Sequence, residues 1–369
     1  MEETPFLQRW GPPIFIVLMI IVGLFLIYRT IAGSDMATVK RASLTMGTYE
    51  QVTQLVPLGC PTGDDTRLCD YYIASSSYSV FPSSSVYDYV SDGILPLVIK
   101  AGARLVELDV YADENNKPVV GLKNETMGYD YAKNSVSFES CCVSIANTAF
   151  NKVETKTASD PFVLSLMFHT NKRNVMEACS EILRQTLGGY FLPSKYAYEG
   201  QGTLDLASEP ICNLAGKLVI VSGPEVKSVP VMHELVNLSW GSSNLRRLSF
   251  MNASQPYDHE ELIDSNRKAI TMVIPDPDPD LKNSNPTVLF GYGCQWIMMN
   301  YGSLDAMMEI YVGKFQQGSV LLKPEYLRYK PVVYKKPALP PPEHSFQPMA
   351  ATSPIYDHNP KTGDKSIVF

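Results

Sequence analysis

Histidine is the scarcest reactive residue in this chain, with five among 369 residues. Any mechanism that needs two imidazoles must draw them from His169, His233, His259, His344 and His358. A basic excess is missing too: 31 Lys and Arg against 38 Asp and Glu leave a formal net charge of −7. No global positive field therefore gathers polyanions, and no nucleic-acid partner is expected. Seven cysteines are too few for a disulfide-built scaffold. No Cys-x-x-Cys pair is available to seed a zinc site. Cys60 and Cys69 flank a Gly-Asp-rich loop and can pair in an oxidising compartment, whereas Cys141 and Cys142 read as buried small hydrophobes. The sequence also lacks a Gly-rich phosphate loop, a dinucleotide fingerprint and a Gly-x-Ser-x-Gly elbow around Ser75–Ser77. Disorder of the whole chain is excluded by a hydrophobic content of 45%.

One long hydrophobic run is present. Ile14 to Ile27 carries no charge, and Trp10 to Tyr28 makes 19 residues. At about 1.5 Å per residue such a helix reaches about 28 Å, close to the roughly 30 Å of bilayer hydrocarbon. Trp10 and Tyr28 suit the two interfaces, and Pro12 and Pro13 suit a first helical turn. A cleaved leader is a poorer reading, because Glu2 and Glu3 precede the run and Ile31-Ala32-Gly33 is a weak cleavage site. Residues 10–32 are thus expected to anchor the chain in a lipid bilayer. Arg29, Lys40 and Arg41 follow the run and only Arg9 precedes it, which favours a cytosolic C-terminal bulk.

The remainder divides by composition into an N-terminal tail (1–9), a linker (33–65), a barrel-sized region (66–328) and a Pro-rich tail (329–369). Strand-length apolar runs occur at Tyr72–Ser75, Arg104–Val110, Pro118–Val120, Phe162–Met167, Lys217–Val221 and Gln295–Asn300. Helical patterns at Ile94–Ala101, Glu139–Ala149 and Arg173–Leu187 lie between them. That alternation predicts a parallel α/β architecture. Asp276–Asp280 reads as a surface loop whose prolines hold its carboxylates apart, against a calcium role. Pro331 to Phe369 holds eight prolines, the composition of a draped or partner-docking tail. Glycosylation sequons begin at Asn124, Asn237 and Asn252 and matter only in a lumenal domain.

Several of these pieces, read together, carry a resemblance. They are Ile73–Ser77, Gly102–Asp109, Pro118–Val120, Val163–His169, Asn283–Pro286, Gly293–Gln295, Gly313–Phe315 and Leu322–Arg328. Their order and spacing resemble the catalytic barrel of eukaryotic-type phosphoinositide-specific phospholipase C. The resemblance implies a TIM-type (β/α)8 barrel, here preceded by one transmembrane helix. It also implies a phosphoric diester hydrolase ancestry with two catalytic histidines and one calcium ion.

The residues such an activity requires are largely replaced. The first family histidine falls on Ser77 and its neighbouring calcium-binding asparagine on Tyr78; the second histidine falls on Leu122, or on Asn124 if the loop shifts. Of the calcium carboxylates, Glu107 and Asp109 are kept and the third is Met167. Two carboxylates two apart on a strand can hold a cation, or can be bonded to neighbours in a polar barrel mouth. Calcium takes six to eight oxygens, so residual calcium binding is the most that pair can offer. The family's phosphate-binding positions fall near Val221 and Gly223 and on Met251, Met272 and Ile274, with Pro275 kept. Apolar side chains there supply no donors for a polyanion. The expectation is a catalytically inactive, membrane-anchored barrel acting as a structural or interaction protein, with no cofactor. Its alternatives are a non-catalytic module for a cation or a phosphoinositide headgroup, or a divergent phosphodiesterase. A protein partner is expected at the barrel surface and the Pro-rich tail. Barrels of this pared, anchored kind also resemble proteins of large DNA viruses, which makes a virion membrane component the more specific expectation.

Overall fold

Strands buried on both faces tend to be apolar, and most of the eight parallel strands that the chain supplies in sequence order are largely so, Ser75–Ser77 and Leu245–Ser249 being exceptions. The eight are β1 (Ser75–Ser77), β2 (Leu105–Ala112), β3 (Phe162–Phe168), β4 (Leu218–Ser222), β5 (Leu238–Ser239), β6 (Leu245–Ser249), β7 (Ile270–Ile274) and β8 (Trp296–Asn300). The computed structural model describes residues 6–32, 35–61, 63–82, 87–124, 129–197, 204–277, 280–331, 355–358 and 365–368. Hydrogen bonding runs in the order β5-β4-β3-β2-β1-β8-β7-β6, all parallel. The two outermost strands of that order, β5 and β6, share no ladder, so the TIM-type barrel is nearly closed.

Strand periodicity of two sorts side chains into two cores. Leu105, Val163, Val219, Leu245, Ile270 and Trp296 fill the barrel interior. Val106, Leu108, Leu164 and Ile220 face outward against the helices. Helix α5 (Arg173–Leu187), the fifth in chain order after α1 (Phe6–Ala32), α2 (Asp35–Val52), α3 (Ile94–Lys100) and α4 (Phe138–Ala149), shows why those helices dock. Its Val175, Met176, Cys179, Leu183 and Leu187 recur at helical spacing and are all buried. Cys141 and Cys142 of α4 are buried likewise.

Four expectations need correction. Residues 35–52 are a helix rather than linker, and Thr38, Ala42, Met46 and Tyr49 form its buried face. The stripe is hard to see in sequence because threonine and alanine make half of it. The Tyr49 hydroxyl donates to the Ser303 carbonyl at 3.1 Å, fixing α2 to the barrel. Cys60 bonds to Cys212, 152 residues away, and not to Cys69, which is buried. Pro118–Val120 is not a barrel strand: it returns antiparallel along β2, with Val110 opposite Val120. The five residues between the two strands allow a hairpin and no parallel crossover. Finally, α1 starts at Phe6, which places Pro12 and Pro13 inside the helix rather than in its first turn.

At the foot of β2 the buried Arg104 guanidinium donates to the carbonyls of Ala149, Asp160 and Pro161 at 2.8, 2.6 and 3.3 Å. Burial lowers its pKa to about 10, which leaves it charged at neutral pH. Nearby, Asp160 accepts from the Leu58 amide at 2.7 Å, and burial raises its carboxyl to about 6. Among the sequons, Asn237 is buried, holding the Ile220 amide and the Tyr196 carbonyl, while Asn252 is exposed. The Asn124 side chain and its sequon partners lie outside the described residues, as does most of the Pro-rich tail. Lys330–Phe369 forms a separate unit whose described secondary structure is an antiparallel pair, Ile355–His358 with Lys365–Val368.

Met46→Ala is expected to cost about 2–5 kcal/mol in denaturant melts, as for other buried methionines. A cost near zero would mean α2 is not part of the folded unit. Asp160 gives a pH signature. A carboxyl raised from 3.8 to about 6 binds its proton more tightly in the folded state, so its contribution falls as pH rises through that interval. Asp160→Asn should therefore gain melting temperature on the parent as pH rises from about 4 to about 7. A gap that stays constant with pH would contradict this.

Candidate functional site

The carboxyl ends of the strands surround a cavity of about 210 Å³, lined among others by Ser77, Glu107, Asp109, Leu122, Met167, His169 and Arg247. In a barrel of this kind the carboxyl-terminal mouth is where chemistry resides. Glu107 and Asp109 are two apart on β2 and so share a face; their ladder partners on β3 are Ser165 and Met167. On β6 the same alternation separates two adjacent arginines. Arg246 turns outward to Glu261 at 2.6 Å, and Arg247 turns inward to Glu107 at 3.1 Å.

Glu107 is fully engaged. One carboxylate oxygen accepts from Arg247 Nη2, and the other accepts from the Ser165 hydroxyl at 2.8 Å. The pair is enclosed, with side-chain exposures of 13% for Arg247 and 8% for Glu107. Arg247 Nη1 also lies 3.5 Å from the Met167 sulfur, and the guanidinium sits 4.6 Å from the Trp240 ring centroid. Burial pushes the Glu107 carboxyl above its ordinary range, opposed by the Arg247 charge. Asp109 is engaged as well: its Oδ1 lies 2.7 Å from His169 Nε2. The imidazole stacks on Tyr111 at 4.5 Å between centroids.

These residues do not fit calcium. The inner carboxylate already holds a guanidinium and a hydroxyl, the third position is a thioether, and a dication would face the Arg247 charge at close range. Among the described residues no three His, Cys, Asp or Glu side chains converge on a metal-sized site. Glu107 and Asp109, expected as vestigial calcium ligands, are each bound to a side-chain partner instead.

The positions expected to have lost catalytic residues do lie at the mouth. Ser77 and Leu122 both line it and both are buried. Ser77 Oγ makes no hydrogen bond. Tyr78 follows it at φ 51, a left-handed conformation costly for an aromatic residue. Met272 is sealed inside the barrel beside Arg247 on the β6–β7 ladder, Val221 is buried on β4, and Met251 is exposed. Ile274 and Pro275 close one side of the cavity. Of the histidines, His169 alone lines the cavity; His233 and His259 belong to helices elsewhere, and the side chains of His344 and His358 lie outside the described residues. Sequence reasoning missed Arg247. The signal was Leu245-Arg246-Arg247-Leu248, a strand-length apolar frame in which one of two adjacent arginines must face inward.

The fold is a nearly closed parallel eight-stranded barrel, and its likeness to known proteins lies with phospholipase C barrels. Residues 65–221 match the family described as phosphatidylinositol-specific phospholipase C, X domain. Two crystal structures are similar: S. officinalis PLC21, at 20% identity and TM-score 0.59, and L. pealei PLC21, at 19% and 0.60. The alignments cover 72% and 74% of this chain but only 38% and 39% of those chains. No curated protein sequence matches. The chain thus resembles the catalytic barrel of phosphoinositide-specific phospholipase C while spanning well under half the length of those two chains.

Arg247→Met should cost about 3–5 kcal/mol, because it leaves Glu107 buried without its counter-charge. Met167→Glu in the parent should fold without calcium, since Arg247 Nη1 is placed to receive the new carboxylate. The two changes combined should make the melting temperature rise with millimolar calcium. If calcium stabilises the Met167→Glu single variant, Arg247 does not occupy the cation's place.

Proposed function

We propose that this chain is a membrane-anchored phospholipase-C-like barrel that does not cleave phosphodiesters and acts as a structural or interaction protein. The observation that carries this reading is the Glu107–Arg247 pair, an internal salt bridge in the wall of the mouth. Phosphodiester cleavage needs a base for the attacking hydroxyl and an acid for the leaving alkoxide. Ser77 and Leu122 stand where the resemblance expects those groups, and among the described residues His169, held by Asp109, is the single imidazole lining the cavity where two groups are needed. General acid–base catalysis contributes on the order of 10²–10⁴-fold for each group, so losing both removes most of the rate.

The anchor rests on Trp10–Tyr28, a helix of 19 residues with mean hydropathy 2.5 and none of it buried against the protein. A signal sequence has the same length and composition, but an exit at Ile31-Ala32-Gly33 is poorly suited to cleavage. Partners in this reading are the bilayer, through residues 10–32, and a protein docked on the barrel surface or the Pro-rich tail. A virion membrane of the large-DNA-virus kind is the more specific setting that the resemblance suggests. A second reading has its own observation: the unbonded, buried Ser77 Oγ at the mouth favours retention of a polar ligand without turnover.

The detergent-solubilised full chain should hydrolyse neither phosphatidylinositol nor its phosphates, with calcium or with chelator. Membranes bearing it should keep it through high salt and alkaline wash. Turnover within about a hundredfold of an active phospholipase C would exceed what the missing groups allow and would end the non-catalytic reading. Release at alkaline pH would end the anchor.

A further inference from the structure

The seven cysteines divide into two kinds. Cys69, Cys141, Cys142, Cys179 and Cys294 are free and buried, and burial pushes every one of their thiols upward, Cys69 and Cys294 to about 12. Such thiols are inert, because the thiolate is the reactive form. Cys60 and Cys212 are the exception. Cys60 is exposed and Cys212 half-buried, and these two are bonded to each other with Cα atoms 5.5 Å apart. Among the described residues no free thiol lies exposed. A solvent-accessible disulfide is reduced in a thiol-rich cytosol and persists in an oxidising compartment.

We propose that the barrel lies on the oxidising, non-cytosolic face of the membrane, where the Cys60–Cys212 bond is a constitutive modification. The bond forms by exchange with a protein disulfide of that compartment. The two thiols give up two protons and two electrons, and the donor disulfide becomes a dithiol. The bond joins the segment leading into the barrel to the turn Ile211–Leu214 that precedes β4. It therefore clips the chain emerging from α2 to the foot of the barrel, next to the antiparallel bridge between Arg67 and Pro210.

The count of positive charges around the apolar run points the other way, and the exposed disulfide is given more weight. Only charges close to the span bear on orientation. Arg41, one of the three charges after the run, is held by Asp88 at 2.9 Å as part of the folded barrel. The assigned face is independent of catalysis. A cleaved leader would deliver the downstream chain to that face, and an uncleaved anchor does so when its N-terminus stays in the cytosol.

The test uses full-length protein in sealed membrane vesicles from expressing cells. After denaturation, a bulky maleimide should count five thiols without reductant and seven with it. Cys60→Ser should show six without reductant and six with it, whether or not that variant folds. Protease outside the sealed vesicles should leave the barrel intact until detergent is added. Seven reactive thiols without reductant would overturn the bond. A barrel digested in sealed vesicles would overturn the assigned face, even with the bond formed.

Discussion

A buried carboxylate must find a positive charge or take up a proton, and in this barrel Glu107 finds the charge in Arg247 across the mouth. That pairing organises the upper layer of the interior. Ser165 takes the second oxygen of Glu107, Met167 rests against the far side of the guanidinium, and Trp240 covers it. Removing one partner of such a pair is costly, while replacing both by apolar groups is often tolerated. The Glu107 charge is therefore met within the mouth itself. Asp109 repeats the arrangement at smaller scale with His169.

The foot of the barrel solves the converse problem. Arg104 forms no ion pair among the described residues, the Asp160 carboxylate acting on it only at longer range, and gathers three backbone carbonyls at the ends of neighbouring segments. Each would otherwise be a buried acceptor without a donor. Charge at the mouth is met by charge, and charge at the foot by peptide dipoles.

How far the sequence anticipates this depends on how each element is encoded. β2, β3, β4 and β8 are legible because strands buried on both faces are continuous apolar runs. Helices α3, α4 and α5 are legible because their buried faces recur at helical spacing. Strand β6 is hidden because Arg246 and Arg247 break its apolar run, although alternation sends one to the surface and one to the centre. Helix α2 is hidden because its buried face mixes threonine and alanine with a single methionine and tyrosine. The Cys60–Cys212 bond was beyond reach, since pairing across 152 residues is fixed by the closed barrel and by no local pattern. The positions of Ser77 and Leu122 at the mouth were legible through the order of the family motifs alone.

The ring of strands has one joint without hydrogen bonds. β5 is two residues long, pairs only with β4, and leaves its other edge facing β6. An open edge is where a sheet separates first, since side-chain contacts alone must hold it. Leu238 and Leu245 supply the interior part of that hold. Trp240 lies in the short connection between the two strands, and its ring is pressed under the Arg247 guanidinium. The arginine that lines the mouth is thus also the clasp of the joint: its side chain leaves β6, bridges to β2 through Glu107, and pins the strand connection on the way. Loss of that one charge would loosen the ring as a mechanical object as well as exposing a carboxylate.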